Sequence, residues 1–125
     1  DMKIPIAYGL GFPNRINSGA NDLNLPNLKS LTFLEPDLKK FPCLGLAKEA
    51  LNLGGTGLAM LNAVNEEAVS AFLDYKISFI QIPEIISEIM DRIQINPVKD
   101  LEAVYFADKR ARKLAVSHME SLWNR

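Results

Sequence analysis

The sequence holds one cysteine, Cys43, one histidine, His118, and one tryptophan among its 125 residues. A single thiol closes no internal disulfide and is the pattern expected of a reducing, cytosolic setting. A single imidazole excludes a site built on a histidine pair or cluster. No apolar run approaches the ~18–20 residues that cross a bilayer, so no membrane partner is expected. Neither sign of charge dominates: 14 Lys+Arg stand against 15 Asp+Glu, for a net charge of −1. Such a balance offers no basic field to nucleic acid or anionic lipid. There is no charged-then-apolar leader, no internal repeat and no low-complexity stretch. A starting Met is also absent; Asp1 in its place reads as the mark of a fragment.

What is present is an ordinary globular composition, 48% hydrophobic and 23% charged, enough for one domain or part of a larger protein. The chain changes character near residue 37. Residues 1–37 carry Pro5, Pro13, Pro26 and Pro36 together with Asn14, Asn17, Asn21, Asn24 and Asn27. Proline removes a backbone donor and asparagine favours turns, so long helices are not expected there. Pro5 suits the first turn of a short helix through Ala7 and Leu10. Leu31-Thr32-Phe33, bounded by Ser30 and by Pro36-Asp37, carries the one strand signal. A strand that short needs a sheet supplied from elsewhere.

Residues 38–125 read as four helices. Pro42 opens the first, with Leu44, Ala47, Ala50 and Leu51 on one stripe, and Gly54-Gly55 closes it. Thr56 is placed to cap the second, which carries Leu58, Leu61, Val64, Ala68 and Phe72 and runs to about Tyr75. Residues 77–82 read as a short extended link. Ile82, Ile85, Ile86, Ile89, Met90 and Ile93 then recur at the spacing of one helix face, with Pro83 near the start and Asn96-Pro97 as the stop. Asp100 is a plausible cap for the fourth helix, whose inner face is read as Leu101, Val104, Tyr105, Ala111, Ala115 and Leu122. Short links between four helices favour an antiparallel bundle. The fold class expected is therefore mainly α: a C-terminal four-helix bundle preceded by a proline-rich arm with one short edge strand.

Chemistry-bearing residues are few. His118, between Leu114 and Leu122 in helical register, reads as a packed side chain that half-faces water. Cys43 follows Pro42 at a helix start, where a thiolate is favoured, but a buried structural cysteine is the expectation. Gly54-Gly55-Thr56-Gly57 resembles a phosphate cradle yet lacks the Lys-Ser/Thr ending and the preceding strand of a P-loop; two helices meeting at a glycine turn is the simpler reading. Glu66 and Glu67 are neighbours about 100° apart on a helix, poorly placed to share a metal. Asn62 and Glu66 share a face at i, i+4, as do Asp108 and Arg112. Lys109, Arg110, Arg112 and Lys113 read as a solvated helix face. No catalytic residue, cofactor-binding residue or metal ligand is assigned in these residues.

Longer stretches carry a resemblance. Asp1-Met2-Lys3-Ile4-Pro5-Ile6, Phe12-Pro13-Asn14-Arg15-Ile16-Asn17-Ser18-Gly19, Leu31-Thr32-Phe33-Leu34-Glu35-Pro36-Asp37, Phe41-Pro42-Cys43-Leu44 and above all Leu61-Asn62-Ala63-Val64-Asn65-Glu66-Glu67-Ala68-Val69 resemble the deoxyxylulose-phosphate reductoisomerases, in order and over essentially the whole chain. Two departures are apolar exchanges: Phe12 stands where the family usually has Trp, and Val64 where it usually has Ala.

The resemblance implies a multidomain α/β parent enzyme. In it, residues 1–11 end the catalytic domain, 12–37 form a linker arm with the short strand, and 38–125 form the C-terminal helical bundle. It implies NADPH and Mg²⁺ or Mn²⁺ as cofactors of the full-length enzyme, bound upstream and not by this segment. It implies the upstream NADPH-binding and catalytic domains as partners, a homodimer, and a cytoplasmic location. The reaction implied is reduction and rearrangement of 1-deoxy-D-xylulose 5-phosphate to 2-C-methyl-D-erythritol 4-phosphate in non-mevalonate isoprenoid synthesis. Of the residues here, Met2 alone matches a pocket-lining position, where a thioether makes an apolar wall. Arg15, the arm's strong fork donor, is expected to pin the arm rather than to touch substrate. A stand-alone helical interaction or scaffold module is the competing class, and the reading frame upstream of Asp1 separates the two.

Overall fold

The structure is a computed structural model that describes residues 1–123, Trp123 by its backbone alone. The described residues form six helices and no strands. The chain divides into two units, Asp1–Glu35 and Pro36–Arg125.

In the first unit, α1 (Lys3–Gly11) carries Pro5 in its first turn, and Ala7 is its buried residue. Ile4, Ile6 and Leu10 are exposed by 52%, 55% and 80%, so α1 shows apolar groups on more than one side. A helix of that composition belongs inside a larger body. The short α2 (Leu25–Leu28) is started by Asn24, whose side chain accepts the Asn27 N–H at 3.2 Å. Asn17 and Ser18 fold the segment between them by accepting the N–H groups of Gly19 and Ala20 at 2.8 and 3.2 Å. The expected strand is corrected here: Leu31-Thr32-Phe33 is irregular, with Leu31 and Phe33 exposed by 62% and 85%. β-Branched and aromatic residues favour a strand only when a neighbouring ladder takes up their backbone groups, and none of the described residues offers one.

The second unit holds the four expected helices: α3 (Pro42–Leu53), α4 (Gly57–Leu73), α5 (Gln81–Arg92) and α6 (Leu101–Trp123). α4 lies at the centre and packs on α6, α5 and α3. Ile82, Ile85, Ile86, Ile89 and Ile93 are buried and Met90 is partly so, as the spacing implied. α5 ends one residue before Ile93, which is extended. The Asp100 carboxylate accepts the Ala103 N–H at 2.7 Å at the start of α6.

The faces of the other helices differ from expectation. On α6, Leu101 and Tyr105 are 64% and 65% exposed, while Ala107, Ala111, Ala115 and Met119 form the buried stripe. On α3, Ala50 is buried but Leu44 and Leu51 are exposed, as is Leu58 on α4. The 77–82 link is not extended chain: 77–80 form a bend and turn, 81 and 82 open α5, and Ile77 is tucked into the core.

Candidate functional site

The bundle's polar residues gather at two places. The first spans α4 and α6. The Arg112 guanidinium donates from Nε to Asp108 Oδ2 at 2.9 Å, from Nη1 to Glu67 Oε1 at 3.0 Å and from Nη2 to Glu66 Oε2 at 2.6 Å. Asn62 Nδ2 donates to the other Glu66 oxygen at 3.1 Å. The Asn62–Glu66 and Asp108–Arg112 pairs were legible as i, i+4 spacings. That Arg112 crosses to α4 was not, because 45 and 46 positions separate it from Glu67 and Glu66. A planar fork with five donors is the group that can hold carboxylates on two helices at once. Glu66 and Glu67, about 100° apart on α4, share this cation because the guanidinium reaches each with a different nitrogen.

The hydrogen bond from Arg112, then that from Asn62, holds the Glu66 carboxyl below the usual carboxylate range. Asp108 first, then Glu66 and Glu67, raises the Arg112 guanidinium above its already high value. A carboxylate whose pKa is depressed on folding adds stability above its unfolded pKa of about 4.3. That contribution is lost as pH falls through the folded value. Arg112→Leu is therefore expected to destabilise the bundle at neutral pH and to flatten its acid dependence, so that the two proteins converge in acid. Thermal melts from pH 7 to pH 2 check this, and parallel pH profiles would contradict it.

The second place is the Gly54–Gly57 turn. Gly54 and Gly55 have φ of +66° and +53°, backbone that glycine adopts without a Cβ penalty. A Cβ on Gly55 would collide with the Asn96 carbonyl oxygen. The buried Thr56 donates its N–H to that oxygen at 2.9 Å, and its hydroxyl accepts the Asn96 N–H at 3.1 Å. The hydroxyl also points at Met60 Sδ, 3.5 Å away. This corrects the cap reading: the Thr56 side chain makes no hydrogen bond to the start of α4, because a donor forty residues on takes its oxygen. It also removes the phosphate-cradle reading. The turn's inward amide is already spent on Asn96, so the residues do not fit a nucleotide phosphate.

The remaining candidates fall apart from one another. His118, with a side chain only 13% exposed, places Nε2 3.3 Å from Glu88 Oε2 and links α6 to α5. Cys43 is exposed in the first turn of α3, contrary to the buried cysteine expected. Met2 sits before α1, 70% exposed. Arg15 lies over the Tyr8 ring at 5.4 Å, and Tyr8 meets Phe12 edge to face, so Arg15 fastens the arm back onto α1. An apolar groove of about 890 Å³ runs between the start of α3 and the start of α5, past Phe41, Leu46, Phe79 and Ile80.

Among the described residues no three His, Cys, Asp or Glu side chains form a group that could hold a metal ion. Glu66, Glu67 and Asp108 are all paired with the Arg112 guanidinium. Among the described residues no helix is long and apolar enough to cross a membrane.

Such a bundle, whose polar side chains fasten one helix to the next, is an all-helical domain. The chain belongs to the DXP reductoisomerase C-terminal domain family, whose model matches residues 1–114. It is 47% identical over 122 residues to the 1-deoxy-D-xylulose 5-phosphate reductoisomerase of Methylococcus capsulatus, covering 98% of this chain and 31% of that protein. The Nitrosococcus oceani reductoisomerase is 48% identical over 120 residues, covering 96% of this chain and 30% of the relative. Among solved structures, the Zymomonas mobilis reductoisomerase in complex with NADPH superposes with a TM-score of 0.84 at 39% identity, covering 96% of this chain and 32% of that one. A DOX-P reductoisomerase in complex with magnesium gives 0.80 at 42%, covering 98% and 33%. The chain thus spans about a third of the length of the relatives it matches.

Proposed function

We propose that this chain is the carboxy-terminal part of an enzyme that converts 1-deoxy-D-xylulose 5-phosphate to 2-C-methyl-D-erythritol 4-phosphate with NADPH and a divalent cation. Its own part in that enzyme is structural. Residues 1–11 complete the catalytic domain, 12–37 link it to the bundle, and 38–125 brace it. The observation that carries the structural role is the Arg112 clamp. Glu66, Glu67 and Asp108, acids of the kind a divalent cation would need, are all turned onto one guanidinium that ties α4 to α6. The cation and the nicotinamide belong to the part of the enzyme outside this chain. Bound there, a divalent cation would supply Lewis-acid chemistry. Met2 then serves as an apolar wall of the pocket, and Arg15 holds the arm's shape through Tyr8.

The test compares two proteins. The complete enzyme is expected to oxidise NADPH when given the phosphorylated ketose and Mn²⁺ or Mg²⁺. The 125-residue chain alone is expected to show no turnover, and no heat of NADPH or Mn²⁺ binding by isothermal titration. A complete enzyme inert toward this substrate would overturn the assigned reaction. Micromolar NADPH binding by the chain alone would overturn the structural role.

A further inference from the structure

We draw no further inference here: the strongest candidate, the surface patch on the outer face of α6 where Leu101, Tyr105 and Phe106 stand exposed beside Lys109, Arg110 and Lys113, carries nothing because nothing in the structure shows what covers it.

Discussion

Ile89→Ala is expected to cost the bundle about 2–5 kcal/mol, the range for truncating a buried branched side chain to Ala. Ile89 is 3% exposed at the middle of α5, one turn from Ile85, Ile86 and Ile93, which are also buried. The neighbours are helical on both sides, so they cannot move far into the space left behind. The cost is then the lost transfer free energy plus most of the cavity penalty. For a bundle of this size that range amounts to a drop in melting temperature of roughly 10–30 °C. Circular dichroism melts against Leu101→Ala, an exposed site where a change within about 0.5 kcal/mol is expected, supply the measurement. A loss under about 1 kcal/mol at Ile89 would mean that this face is not core.

Ala111→Leu is expected to destabilise by about 1–3 kcal/mol even though it adds apolar surface. Ala111 is fully buried, with Ala107 and Ala115 buried one turn to either side, and α4 brings Ala63, Val64 and Ala68, also fully buried, to the same core. Helices approach as closely as the side chains between them allow. Here both helices bring small buried residues to one core, and a leucine must push α4 and α6 apart or leave its preferred rotamer. Separation would also lengthen the Arg112 bridges that join these two helices. Chemical denaturation of the two proteins checks the sign; a neutral or stabilising Ala111→Leu would show slack between α4 and α6.

These two sites mark what sequence could and could not tell. Five isoleucines repeating at three and four positions announce one helix face, because large apolar side chains carry most of the hydrophobic signal. The α6 stripe is made of alanines, which carry little of it, so the eye goes to Leu101 and Tyr105, which lie exposed. Close helix packing selects small residues, and smallness is not a pattern that hydrophobicity reveals. Thr56 failed for another reason. A cap is a local inference, and its hydroxyl went to a donor forty residues away. Leu31-Thr32-Phe33 satisfied local β preference, but a strand is a property of pairs of segments. Of the polar cluster, the same-helix contacts were readable and the cross-helix ones were not. The family resemblance held because it rests on identities in order along the chain, and identities do not depend on knowing which contact each residue makes.

The paired hydrogen bonds of Thr56 and Asn96 have a mechanical meaning. They close the stretch from α4 through α5 into a ring, with α3 and α6 as the two tails leaving it. A pull transmitted along the backbone from the arm enters through α3, crosses from residue 56 to residue 96, and leaves through α6. It bypasses α4 and α5, which carry most of the buried isoleucine, valine and methionine. Along the backbone, a load entering from the arm through α3 thus meets this short bridge before it meets the chain of α4 and α5.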